Sequence, residues 1–374
     1  MDKKIVGIVC GTRPEIIKLA PVYHALREHE ELTVLWVHTG QHGDMAADML
    51  RCFGIVPDVQ LERSGASLEA FSVECRAQLD ALMSRRRWDL CIVQGDTESA
   101  FLGALAAFYR RVPVGHVEAG LRTYNLERPF PEEGLRQMIS RVACLHWAPT
   151  ERALAALVRE GIPADTIQLT GNTVVDAQQW ICERHGIRRQ GNPADGHILV
   201  TAHRRENWGD EMEQTFHAVA DIARLHADRR VLFPVHLNPV VQKPAHAILQ
   251  GLENVTLTAP LDYLGMQQAL VNAALLLTDS GGLQEEAPTF GVPTLVLRHE
   301  TERPEAVEAG CARLVGPRRD AIVREASRLL DDPLCAELMR KVANPFGDGQ
   351  ASRRIAQAVM ARLVVPAHVA AEPA

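Results

Sequence analysis

The chain has no apolar run approaching the ~20 residues that a helix needs to cross a bilayer, and no signal-type apolar stretch stands before its first β-like segment. A cytoplasmic protein that does not enter membranes is therefore expected. Basic residues are in deficit, with 40 Lys and Arg against 47 Asp and Glu, a net charge of −7 and an isoelectric point near 6.1. Nucleic acids and anionic membranes demand a basic surface, so neither is an expected partner, and any anion must be held locally. Paired cysteines are missing too. Cys10, Cys52, Cys75, Cys91, Cys144, Cys182, Cys311 and Cys335 stand singly, without a Cys-x-x-Cys pair or zinc spacing, and read as small buried hydrophobes in a reducing compartment. There is no His-Glu-x-x-His, EF-hand or Walker P-loop, and the glycine turns lack the dinucleotide fingerprint, so no metal or other cofactor is expected.

What is present is an alternation of short β-branched or apolar runs with longer helical patterns, the mark of parallel α/β architecture. At 374 residues and 47% hydrophobic content, two domains are expected. The first half predicts six strands near Lys4–Cys10, Leu32–His38, Leu90–Gln94, Val112–Val117, His146–Ala148 and Thr166–Thr170. After a polar stretch from Glu183 to Gly196 the pattern restarts at His197–Thr201. It continues through Val231–Pro234, Val255–Leu257, Leu275–Thr278, Thr294–Leu297 and Arg313–Val315. The boundary is placed near Gly171, giving domains over 1–170 and 171–349, and the tail beyond Val364 reads as frayed.

Acidic residues directly after apolar runs sit where an open α/β sheet binds ligands, outside the carboxyl ends of its strands. Asp96 follows the run Leu90–Val93, Glu118 follows Val112–Val117, and Glu132 stands in Pro131-Glu132-Glu133. Three loops can thus bring carboxylates to one crevice, an arrangement suited to proton transfer. The first strand runs into Gly11-Thr12-Arg13-Pro14-Glu15, with Thr12 as N-cap and Glu15 completing a capping box. Arg13 and Lys18 put positive charge beside the positive end of that helix, which favours a bound phosphate; alternatively they pair with Glu15. In the second half, Asp279-Ser280-Gly281-Gly282 opens a further anion cradle, and Glu286 lies one turn on, within reach of ribose hydroxyls. His203 is a candidate catalyst and His236 a candidate contact, both just past strand ends. Taken separately, Asp96 could only cap a helix and Glu118 could only pair with Arg122.

Together these segments resemble the non-hydrolysing UDP-N-acetylglucosamine 2-epimerases. The resemblance also takes in Thr39-Gly40-Gln41-His42, Gly171-Asn172-Thr173, His203-Arg204-Arg205-Glu206, Pro234-Val235-His236-Leu237-Asn238-Pro239 and Thr301-Glu302-Arg303-Pro304-Glu305-Ala306, so it covers nearly the whole chain. It implies a glycosyltransferase-B fold of two Rossmann-like domains facing a cleft, with a C-terminal helix over about 350–374 packing back on the first, and a homodimer. It further implies inversion of carbon 2 of a UDP-sugar by elimination of UDP and re-addition. Asp96, Glu118 and Glu132 would be the acids and bases. Arg13, His203, Ser280, Gly281 and Gly282 would stabilise UDP without a metal, Glu286 would hold the ribose, and Lys18, Arg136 and His236 join the substrate-binding set.

The alternatives are a hydrolysing epimerase releasing the free sugar, an epimerase for a related UDP-diacetamido-uronate, a glycosyltransferase of the same fold, and a sensor that binds without turnover. One departure from the family bears on regulation. Many bacterial members bind a second UDP-sugar as activator beside the active site, using a loop like Gln41-His42 that continues with another glutamine, and an arginine some twenty residues later. Here the loop reads Gln41-His42-Gly43-Asp44, and Arg63-Ser64-Gly65-Ala66 shifts the arginine's register. An aspartate repels a diphosphate, so Gln41, His42 and Arg204 are expected to form at most a weakened activator site.

Overall fold

The computed structural model describes residues 2–63 and 67–364, with residues 43–45 described by their backbone alone. The chain divides into two compact units, residues 1–177 with 347–374, and residues 178–346. The division falls inside the helix Thr173–His185, a few residues past the boundary expected near Gly171.

The first unit holds a seven-stranded parallel sheet, with β1 Lys4–Cys10, β2 Leu32–His38, β3 Val59–Gln60, β4 Leu90–Gln94, β5 Val114–Val117, β6 Leu145–Ala148 and β7 Ile167–Leu169 in the order β3-β2-β1-β4-β5-β6-β7. Six strands were expected. The seventh, β3, has two residues and pairs only Val37 with Val59 and His38 with Gln60, too short for any hydrophobic pattern. The second unit carries β8 His197–Thr201, β9 Val231–Pro234, β10 Val255–Thr258, β11 Ala273–Thr278, β12 Thr294–Val296 and β13 Ala312–Leu314, ordered β10-β9-β8-β11-β12-β13. Helices cover both faces of such sheets, so the central strands are apolar throughout: every residue of β4 and β11 is buried. Gly7 on β1 allows Trp88 to lie against the sheet, since a Cβ there would come within 2.1 Å of the indole ring.

In each unit the strand order reverses once, between β1 and β4 and between β8 and β11. At such a point the loops after the two strands diverge and leave a crevice at the carboxyl ends. The expected site segments sit there, since Gly11 follows β1, Asp96 follows β4, His203 follows β8, and Asp279 to Gly282 follow β11.

The C-terminal helix Ala351–Leu363 belongs to the first unit and packs on the helix Arg13–Arg27. Its start is fixed by Asp176, which accepts from the Ala351 amide at 3.2 Å, the Ser352 amide at 2.8 Å and the Ser352 hydroxyl at 2.6 Å. The tail read as frayed lies outside the described residues. All eight cysteines are free, but only Cys10, Cys75, Cys91 and Cys311 are buried; Cys52, Cys144, Cys182 and Cys335 are half-buried, so the expectation of buried hydrophobes holds for half of them.

Candidate active site

The turn after β1 is organised by Glu15. Its carboxylate is fully buried and accepts from the amides of Gly11 at 3.0 Å and Thr12 at 2.8 Å, as the capping box requires, and from the Thr97 hydroxyl at 2.8 Å. Burial pushes the Glu15 carboxyl up to about 7, opposed by those hydrogen bonds. The same Thr97 hydroxyl accepts from the Ala100 amide at 3.0 Å, so Thr97, not Asp96, caps the helix Glu98–Tyr109. That removes the capping account of Asp96.

Asp96 instead pairs with Arg136. Arg136 lies one turn into the helix Glu132–Val142, and its guanidinium also stands 3.4 Å from the Glu133 carboxylate. The guanidinium expected in the substrate-binding set is thus also held beside Asp96. Glu132 begins the same helix with Oε2 buried and unpartnered among the described residues.

Glu118 is the most constrained side chain. It adopts φ +62°, a left-handed conformation that costs a non-glycine residue of order 1–3 kcal/mol and recurs at functional sites. Its carboxylate is buried and accepts from Lys18, from the Gln94 amide and, at 3.0 Å, from the Asn172 amide. Arg122, the alternative partner, is taken by Glu160 at 2.7 Å and Ser140 at 2.9 Å. Lys18, expected beside a phosphate or Glu15, is paired here with Glu118; Arg13 has no side-chain partner among the described residues. The turn between Gln94 and Asp96 is pinned as well, since His116 Nε2 lies 2.7 Å from the Gly95 carbonyl and must donate to it. Burial lowers His116 to about 3, so the ring stays neutral.

In the second unit Asp279 is fully buried, and its Oδ2 accepts from the amides of His203 and Arg204, each at 2.8 Å. His203 places Nδ1 3.4 Å from Asp279 Oδ1, and its ring stacks on His236 with centroids 5.9 Å apart. Burial lowers the His203 pKa, partly offset by the Asp279 charge. The His236 ring accepts from the Asn238 amide at 3.1 Å. Ser280 precedes the helix Gly281–Glu286, and its amide is held by the Thr278 hydroxyl at 2.9 Å. A Cβ on Gly281 or Gly282 would lie 3.6 Å from the Arg204 guanidinium or 3.7 Å from Glu286 Oε1, so both glycines border charged groups. Glu286 accepts from the Gln267 amide at 2.6 Å. The neighbouring Glu285 forms a buried pair with Arg303, which ties the segment Thr301–Ala306 to this turn. Gln94, read only as a strand end, and Gln267, one of two adjacent glutamines on a mostly apolar helix, were not among the site residues expected from the sequence.

A profile of the UDP-N-acetylglucosamine 2-epimerase family matches residues 24–360. The chain belongs to this family. It is 43% identical to the UDP-N-acetylglucosamine 2-epimerase of Yersinia pestis, covering 94% of this chain and 97% of that one, and 43% identical to the enzyme of Bacillus subtilis, covering 96% of each. The Neisseria meningitidis UDP-GlcNAc 2-epimerase, solved bound to UDP-GlcNAc, superposes with a TM-score of 0.86 at 38% identity over 96% of this chain and 99% of that one. This family member therefore has the expected glycosyltransferase-B type α/β fold and is an isomerase by kinship. Among its described residues no helix is long and apolar enough to cross a membrane, and no group of His, Cys, Asp and Glu is arranged to hold a metal.

Proposed function

We propose that the chain interconverts UDP-N-acetylglucosamine and UDP-N-acetylmannosamine without hydrolysis, working in the cytoplasm as a homodimer. A hydrogen on a carbon beside an acetal is too weakly acidic for abstraction and return alone. Elimination solves this: a carboxylate takes the C2 proton while the C1–O bond breaks and its electrons leave on the diphosphate. The product is 2-acetamidoglucal, with a C1–C2 double bond. Re-addition reforms the C1–O bond and delivers a proton to the opposite face of C2. Proton transfer on two faces needs more than one acid or base, and the first unit carries Asp96 and Glu118 just after adjoining strands and Glu132 at the start of the helix that follows.

The observation that carries the reading is the treatment of Glu118, a buried carboxylate on a strained backbone, oriented by three donors. A side chain that served only packing would not justify that strain. The second unit supplies the leaving-group side. Ser280, Gly281 and Gly282 offer backbone amides to a diphosphate, His203 adds a polar group, and Glu286 takes the ribose hydroxyls, while the first unit adds the cationic Arg13. His203, whose Nδ1 stands 3.4 Å from Asp279 Oδ1, would donate to the departing phosphate through Nε2 when the ring carries its second proton.

The test is proton NMR of the purified protein with UDP-GlcNAc alone in deuterated water. The expected result is a stable mixture with UDP-ManNAc in which both sugars carry deuterium at C2. Free N-acetylmannosamine with UDP would show the hydrolysing reaction instead, product without solvent label would remove the proton-exchange scheme, and an unchanged spectrum would mean that the protein does not turn this nucleotide sugar over.

A further inference from the structure

Two fully buried glutamines stand behind Glu286. The Gln178 amide donates to Gln267 Oε1 at 2.8 Å, and the Gln267 amide donates to Glu286 Oε2 at 2.6 Å. The direction of this chain is set from its charged end. A carboxylate only accepts, so Gln267 must turn its NH2 toward Glu286, which leaves its oxygen facing Gln178, and Gln178 must in turn present NH2. Reversing either amide would set oxygen against oxygen in a site without water access. Gln178 Oε1, at the far end, is buried without a partner among the described residues, so the chain is kept at the cost of one unsatisfied acceptor. With Oε2 held by Gln267, Glu286 Oε1 is turned toward Gly282 and the cradle after β11.

We propose that Gln267, itself held by Gln178, is a positioning residue for nucleotide binding that fixes the rotamer of Glu286 so that its carboxylate meets the two ribose hydroxyls of a uridine diphosphate. The proposal rests on the reading of Glu286 as the ribose ligand. A glutamate side chain has three rotatable bonds, and freezing them before binding removes an entropy cost from the bound state. Hydrogen bonds between hydroxyls and a carboxylate are charge-assisted and directional, so a carboxylate free to swing loses part of them.

The experiment is calorimetric titration of UDP and of 2′,3′-dideoxy-UDP into the full-length protein and into Glu286→Gln, Gln267→Leu and the paired variant Gln178→Leu/Gln267→Leu. The wild type should prefer UDP by roughly tenfold or more, the usual worth of a hydrogen bond to a charged group. Gln267→Leu should lower UDP affinity by roughly five- to twentyfold and leave dideoxy-UDP within about twofold, because only the ribose contact is disturbed. The paired variant leaves no amide buried alone and should show the same loss of preference, which keeps the test valid if the single variant folds poorly. If Glu286→Gln loses the preference while Gln267→Leu and the paired variant keep it, the positioning role is overturned and the ribose reading stands. If Glu286→Gln keeps the wild-type preference, the ribose reading falls and the proposal with it. Equal weakening of both nucleotides in the glutamine variants would mark the chain as general scaffolding and likewise overturn it.

Discussion

Lys18 and Glu118, 100 positions apart in the chain, form an ion pair with side chains only 13% and 6% exposed. Removing one partner of such a pair leaves a buried charge uncompensated, which typically costs about 3–5 kcal/mol, while removing both is far less harmful. Lys18→Met should therefore lower stability by about 3 kcal/mol and reduce turnover at least about a hundredfold, since the carboxylate loses its orienting cation. Lys18→Met/Glu118→Gln should recover most of the stability and none of the turnover. Denaturant titration beside kinetics decides it; recovery of activity in the double variant would show that Glu118 has no chemical role.

The two units should respond differently to substitution. Asp96→Asn and Glu118→Gln should each lower turnover by roughly a hundred- to ten-thousandfold, the span for a lost acid or base, and leave UDP affinity intact. Ser280→Ala and Glu286→Gln should weaken UDP binding instead. Calorimetry with UDP beside NMR turnover separates the two classes, and intact turnover in Asp96→Asn would reduce that carboxylate to an anchor for Arg136.

The sheets were legible because a parallel strand covered on both faces reads as an unbroken apolar run, as in Leu275 to Thr278. The candidate acids were legible for a related reason, since polar residues that end such runs are placed at the carboxyl edge. Partnerships were not. Nothing in a linear pattern says that Lys18 reaches Glu118, 100 positions on, or that Arg136 reaches back 40 positions to Asp96. Those choices are made by strand order, which sets β4 and β5 side by side beyond β1 and carries their loops over the first helix. The two-residue β3 escaped because a strand shorter than one alternation has no period.

Glu15 makes stability depend on pH in a calculable direction. Burial raises its folded-state pKa from 4.5 to about 7, so the protonated form is favoured in the folded protein. The contribution is fully present below about pH 4.5 and is lost as pH rises through about 7, amounting to about 3 kcal/mol at most. Glu15→Gln cannot titrate. The stability difference between wild type and this variant should therefore shift against the wild type by up to about 3 kcal/mol between pH 4.5 and 7.5, measured by urea denaturation. Parallel curves over that range would mean that the hydrogen bonds from Gly11, Thr12 and Thr97 outweigh desolvation.

Activation by a second UDP-sugar is expected to be weak. The Gln41 side chain, a candidate activator contact, accepts from the Ser99 amide at 3.0 Å and the Ser99 hydroxyl at 2.6 Å, while Arg63 donates to the Gln41 carbonyl at 2.5 Å. The Gln41 side-chain oxygen is thus already engaged inside its own unit. The Asp44 side chain and residues 64–66, where the sequence departs from the family pattern, lie outside the described residues. A carboxylate near a diphosphate remains an electrostatic penalty wherever the two approach within a few ångströms. Velocity against UDP-GlcNAc should accordingly be near-hyperbolic, and UDP-ManNAc supplied alone should be converted. Asp44→Gln should restore sigmoidal kinetics by removing the repelling charge. Strong sigmoidicity in the wild type, or a reverse reaction that waits for traces of UDP-GlcNAc, would show that Gln41, His42 and Arg204 still form a working activator site despite Asp44.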